Sequence, residues 1–279
     1  MDFAGICRGL AVGGGETFGS SGRLVIQDGK GPDILVELMK KLEILADGAS
    51  ALGVELNDLQ LGQFQTYLDG LAEWNRRTNL TSTSALANAE RVHLLDSLTL
   101  APVMRREAPN ARRLVDVGSG AGFPGLALKI ALPDLEVVLV ESTGKKAEFL
   151  RWVTNNLGLG DVEVLTDRAE AVGRRVGYRE TFDVATARAV GQLKLVMELT
   201  LPLCKIGGVL IAQRGGDAEE ESVLAVKAAA TLGAGDISVE PTPEAGSEAR
   251  GFITVARKLS ATSDRFPRRD GIPAKRPLA

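Results

Sequence analysis

Leu114-Val115-Asp116-Val117-Gly118-Ser119-Gly120-Ala121-Gly122-Phe123-Pro124-Gly125 reads as a short apolar strand that runs into a glycine loop and then into a helix opening at Pro124. Glycine at 118, 120 and 122 removes Cβ from three alternate positions, so the loop can turn sharply and bring its backbone close to a ligand. Pro124 suits the first helical turn, where its missing N–H costs nothing. The other N–H groups of that turn, at the positive end of the helix dipole, favour a carboxylate or phosphate. Strand, loop and helix start together describe a nucleotide-type site, with an ordinary strand-to-helix turn as the alternative. The spacing excludes two common versions of such a site. A dinucleotide fingerprint needs glycine where Phe123 stands, and a P-loop needs a Gly-Lys-Ser or Gly-Lys-Thr that does not follow.

Working outward, the chain after Pro109 alternates in type. Strands are expected at 113–117, 136–141, 162–166, 182–187 and 207–213, with helices near 124–131, 144–157, 167–175, 190–204 and 217–232. Such alternation implies right-handed βαβ units and a doubly wound, mostly parallel α/β sheet. Ile237 to Glu240 and Phe252 to Val255 are also strand-like. The segment between them carries Pro241, Pro243 and Gly246 and has no room for a crossover helix, so this last pair is expected as an antiparallel hairpin at the sheet edge.

Before the sheet, residues 33–108 read as helical. Ile34, Leu35, Leu38, Leu42 and Leu45 share one face behind Asp33 as a cap. Asn57-Asp58 caps a second helix with the stripe Leu61, Phe64, Tyr67, Leu68, Leu71 and Trp74. A polar loop follows at 78–84, and a third helix is expected from Ala85 to about Met104. Residues 1–32 hold little to pack, with nine glycines in the first 31 residues, and read as a flexible extension. Met39, where the helical pattern is already running, is a candidate translation start. The division expected is therefore 1–32 extension, 33–108 helical region, 109–260 sheet domain and 261–279 basic tail.

Composition narrows the chemistry. The formal charge of −3 argues against a wholly basic nucleic-acid binder, but residues 257–279 hold seven Lys/Arg against two Asp, a local +5. Two cysteines, Cys7 and Cys204, and a single histidine, His93, exclude a disulfide framework and argue against a metal site. A Ser-His-Asp or Cys-His hydrolase would have to use His93, which falls on a helix before the glycine loop. No run reaches the roughly 20 apolar residues of a membrane helix. The first residues do not resemble a signal peptide, so a cytoplasmic location is expected; a monomer is expected separately.

In an open α/β sheet the ligand lies over the carboxyl ends of the strands, at the switch point. That rule nominates Glu141 at the end of the second strand, 23 residues after Gly118, for ribose hydroxyls, or else as a cap for the next helix. It nominates Asp167-Arg168-Ala169-Glu170 for an adenine ring, with a local Arg168–Glu170 ion pair as the alternative. Arg188, following the apolar Val184-Ala185 at the end of the fourth strand, is expected to aim into the crevice, with pairing to a surface carboxylate as the alternative. Arg214, beside two glycines, is either an exposed loop arginine or a site residue.

These residues resemble a known family, the glucose-inhibited division protein B methyltransferases, which methylate guanine N7 in small-subunit ribosomal RNA. The resemblance runs from about Leu42 to the C-terminus. It is carried by Trp74-Asn75-Arg76 with Asn79-Leu80-Thr81-Ser82, Arg91-Val92-His93-Leu94-Leu95-Asp96-Ser97, the glycine loop, Gly144-Lys145-Lys146, Arg188-Ala189 and the tail Arg265 to Leu278. It implies a class I S-adenosylmethionine-dependent methyltransferase, Rossmann-like with a terminal antiparallel hairpin. It further implies that Gly118, Phe123, Ala169, Glu170 and Arg188 contact S-adenosylmethionine; Glu141 and Gly120 join them on the physical argument. Arg188 and Arg168 would organise the cofactor carboxylate and the RNA. Asn79, His93, Arg214, Arg268, Arg269, Lys275 and Arg276 would contact 16S ribosomal RNA or the small subunit. For His93 the alternative is a satisfied helix residue, and for the tail a solvated end. Where many relatives carry Lys-Gly after the fifth strand this chain has Arg214-Gly215, a planar fork for a point charge. The competing functions are a class I methyltransferase acting on a small molecule or protein, and a cofactor-sensing protein without turnover.

Overall fold

The structure is a computed structural model that describes residues 42–245 and 251–278, together with a two-residue antiparallel ladder between Thr17–Phe18 and Leu24–Val25. The chain divides at Glu43 into two compact units. The rest of residues 1–41, including the expected extension, the Asp33 cap and Met39, lies outside the described residues.

In the larger unit seven strands form one sheet: β1 (Arg113–Val117), β2 (Glu136–Val140), β3 (Val162–Leu165), β4 (Phe182–Arg188), β5 (Cys204–Arg214), β6 (Ala234–Pro241) and β7 (Phe252–Lys258), in the order β3-β2-β1-β4-β5-β7-β6. The first five are parallel; β7 runs antiparallel to both β5 and β6, as the short connection requires. Leu114, Val115, Leu139 and Ala185 are wholly buried, the pattern of a sheet covered on both faces. The order reverses between β1 and β4, and the glycine loop leaves β1 at that switch point.

The helices before the sheet fall in three groups. Helix α1 (Glu43–Ala51) precedes α2 (Asp58–Asn75), which starts with a capping box: the Asn57 side chain accepts from Gln60 N–H, and the Gln60 side chain accepts from Asn57 N–H. The buried face of α2 is Gln60, Phe64, Tyr67 and Leu71, with Leu61, Leu68 and Trp74 at its flanks. The single helix expected from Ala85 to Met104 is instead broken into α3 (Thr83–Ala87), a π-helical turn (Glu90–Leu95), α4 (Asp96–Leu98) and α5 (Leu100–Glu107). Hydroxyl groups compete there for helix carbonyls: Ser97 Oγ donates to His93 O and Thr99 Oγ1 to Asp96 O, both at 2.5 Å, while Pro102 has no N–H to give. Among the described residues no helix is long and apolar enough to cross a membrane.

The tail is part of the sheet domain rather than a solvated end. Thr262, Phe266 and Pro273 are buried, and the buried Lys258 Nζ donates to Thr262 Oγ1 and Leu201 O at 2.6 Å each and to Glu180 at 3.1 Å.

Candidate methyl-transfer site

Gly118 takes φ +74°, and a Cβ there would come within 2.7 Å of Val190 Cγ2; Gly122 takes φ +97°, and its Cβ would meet the Tyr67 hydroxyl at 2.5 Å. Both glycines are therefore required by backbone conformation and by close approach. The loop then enters α6 (Gly125–Ala131), not at Pro124 but one residue later. The anion expected at this helix start is supplied from within: Asp116 Oδ2 accepts from Gly125 N–H at 3.1 Å. Burial raises the Asp116 carboxyl to about 7, and its Oδ1 has no partner among the described residues.

Beside the loop lies a cavity of about 110 Å³, lined among others by Gly118, Ser142, Asp167, Arg168, Ala169 and Glu170. It sits over the carboxyl ends of β1, β2 and β3. Glu141, between the lining residues Val140 and Ser142, is buried; its Oε2 accepts from Gly120 N–H (2.9 Å) and its Oε1 from Thr143 N–H (2.7 Å). Those bonds brace the loop, yet a carboxylate offers about four acceptor positions, so capacity for hydroxyl donors remains. Glu170 makes no ion pair with Arg168; its Oε1 accepts from Gly271 N–H of the tail at 2.9 Å, and Arg168 is exposed.

A second cluster stands over the carboxyl ends of β4 and β5. Arg188 Nη1 donates to Asp96 Oδ2 at 2.9 Å and to Val92 O at 3.3 Å, and its Nη2 lies 3.3 Å from His93 Nδ1. His93 Nδ1 also lies 3.1 Å from Val92 O, and Nε2 lies 2.7 Å from Thr81 Oγ1, so the ring finds a partner on both nitrogens whichever of them carries the proton. Burial and the Arg188 charge lower His93 to about 4, which keeps the ring neutral. Asp96 is shifted the other way: burial raises it against the pull of Arg188. Gln213 Nε2 donates to Asp96 O at 2.7 Å, while its buried Oε1 has no partner among the described residues.

Aromatic rings join the two regions. His93 stacks on Phe123 (centroids 4.8 Å), Phe123 on Tyr67 (5.0 Å) and Tyr67 on Phe149 (6.3 Å), and beyond them Trp74 and Trp152 lie 5.8 Å apart. Phe123, at the missing-glycine position, is buried between the His93 and Tyr67 rings, and the Arg188 guanidinium lies 5.2 Å over its ring.

Of the expected RNA contacts, Asn79, Arg269, Lys275 and Arg276 are exposed. Two turn inward. Arg214 is neither an exposed loop arginine nor directed to the cleft: its side chain pairs with Glu221, Nε at 3.0 Å. Arg268 holds the wholly buried Glu198 through its backbone N–H (2.9 Å), Nε (2.8 Å) and Nη2 (2.6 Å). Asn75, Thr81, Asp96 and Gln213 were not singled out for a site role by sequence reasoning. Asn75 Oδ1 accepts from Leu80 and Thr81 N–H, fixing the loop that holds His93. For Asp96 a signal existed, since it lies three residues after His93 and four after Val92, one helical face.

The family model for rRNA small subunit methyltransferase G matches residues 60–248. Curated relatives carrying the name ribosomal RNA small subunit methyltransferase G include one from Chloroflexus aggregans, 48% identical over 235 residues (84% of this chain, 97% of the relative). One from Roseiflexus sp. is 45% identical over 237 residues (85% and 100%), and one from Dehalococcoides mccartyi 44% over 234 (84% and 98%).

Proposed function

The chain belongs to the rRNA small subunit methyltransferase G family, and from that premise we propose that it transfers the methyl group of S-adenosylmethionine to N7 of a guanine in 16S ribosomal RNA. The residues present fit that cofactor. Gly118 lines the cavity where a Cβ would run into Val190, Glu141 between the lining residues Val140 and Ser142 has acceptor capacity for ribose hydroxyls, and Asp167 to Glu170 line the space for a purine ring. When bound, S-adenosylmethionine supplies a sulfonium methyl that a ring lone pair can take without a proton having to leave.

The observation that carries the reading is the composition of the second cluster. Its one imidazole is neutral, stacked and hydrogen-bonded on both nitrogens, and its carboxylate is paired with Arg188. Nothing there is poised to remove a proton, which suits attack by N7 and does not suit a hydroxyl or amine acceptor. The chain's contribution is to hold the acceptor base in line and at near-attack distance, and to keep water out. Arg188 steadies the cofactor carboxylate, with Arg168 at the rim. Asn79, Arg269, Lys275 and Arg276 offer the exposed amide and charges for the RNA backbone.

The test is methyl transfer from labelled S-adenosylmethionine to undermodified small ribosomal subunits, followed by mapping of the modified nucleotide. Label at guanine N7 of 16S RNA is expected. Label on protein or a small metabolite, with none in RNA, overturns the reading.

A further inference from the structure

Asp96 has no role in the reading above beyond pairing with Arg188, yet the pair keeps some exposure rather than lying wholly in the core. The side chains keep 12% and 18% of their surface, and they lie over β4 and β5, next to the cofactor cavity over β1 to β3. Arg188 has five N–H groups, and at most three are engaged, by Asp96, Val92 O and His93; at least two are left. Asp96 has about four acceptor positions, of which Arg188 takes one on Oδ2. Beside it the Gln213 Oε1 is buried, in a residue only 8% exposed, and lacks a donor among the described residues. An acceptor buried without a donor costs free energy until something supplies one. The cluster therefore presents surplus acceptors next to a surplus donor.

Guanine has the complementary edge. Its N1–H and N2–H groups donate and its O6 accepts, side by side, whereas adenine offers an acceptor at N1 and a donor at C6, opposite in both places. N7 lies on the other side of the purine, so a grip on N1, N2 and O6 leaves the N7 lone pair open. We propose that Asp96, with the Gln213 amide oxygen beside it, selects the acceptor base as guanine by accepting from N1–H and N2–H while an Arg188 N–H reaches O6. The inference rests on the guanine-N7 reading above and names the residues that read the base. Adenine in the same place would set its N1 lone pair against a carboxylate, so the cluster rejects as well as attracts.

The test uses the full-length enzyme and small subunits reconstituted with 16S RNA that carries guanosine, inosine or 7-deazaguanosine at the mapped nucleotide. Inosine lacks only the N2 amino group. Wild-type kcat/KM on the inosine RNA is expected to fall by roughly 10- to 100-fold, the effect of one hydrogen bond to a charged group. Asp96→Ala is expected to be slower on both RNAs and to bring their ratio to within about threefold, because the discriminating acceptor is gone. A merely structural role for Asp96 would slow both and leave the ratio where it was. Gln213→Met, which removes Oε1 at similar volume, is expected to compress the ratio as well and serves if Asp96→Ala does not fold. Equal wild-type rates on guanosine and inosine, or an undiminished ratio in Asp96→Ala, overturns the assignment. The 7-deaza RNA is expected to accept no methyl; if it does, the N7 reading itself fails, whatever the inosine ratio.

Discussion

At the scale of single residues, His93 shows how environment decides chemistry. Its folded value of about 4 lies below the ordinary 6.5, because burial and Arg188 both disfavour the charged ring. The unfolded chain therefore binds more protons between those two values, so the contribution of His93 to stability is present above pH 6.5 and is lost as pH falls toward 4. Urea midpoints measured from pH 4 to 7 should fall with acid in the wild type and fall less in His93→Phe, which keeps a ring on Phe123 without a titrating group. Gly122 makes the complementary case for backbone. Gly122→Ala would force φ +97° on an L-residue and drive its Cβ into the Tyr67 hydroxyl, so a loss of at least about 2 kcal/mol is expected in chemical denaturation. Neither effect is a property of the residue type. Each comes from what the fold places around it.

Among elements, the sheet was legible and the interruptions were not. Strand and helix alternation, the Asn57 cap and the terminal hairpin follow from period, glycine and proline, all local signals. The break in the helix expected over 85–104 comes from hydroxyls that turn back on their own carbonyls, a choice that apolar spacing does not register. Partners distant along the chain were the larger gap. Arg188 and Asp96 are 92 residues apart and Arg268 and Glu198 are 70 apart, so a basic residue read as an RNA contact proved to be a buried carboxylate's counter-ion. The two arginines of the tail should accordingly separate. Arg268→Ala leaves Glu198 buried without a partner and should cost about 3–5 kcal/mol. Arg269→Ala should change stability by less than about 0.5 kcal/mol. Its binding to RNA, followed across salt concentrations, should show a log–log slope shallower by about 1.

For the whole molecule, the packed tail makes the sheet and its last residues one cooperative unit. Lys258 on β7 gathers Glu180, Leu201 O and Thr262, so a strand, the turn before another and the tail share one buried ammonium. Lys258→Met should lower stability by about 1–3 kcal/mol in a single transition, because acceptors lose their donor together. The expected division at 260 and 261 thus does not correspond to a break in packing. The aromatic series has an optical consequence of its own. Both tryptophans of the chain, Trp74 and Trp152, sit together at one end of the rings that lead through Phe149, Tyr67 and Phe123 to His93. The intrinsic emission of the full-length protein is therefore a built-in dye at one known address, reading the packing of Trp74 against Trp152 and Phe149 without any label attached.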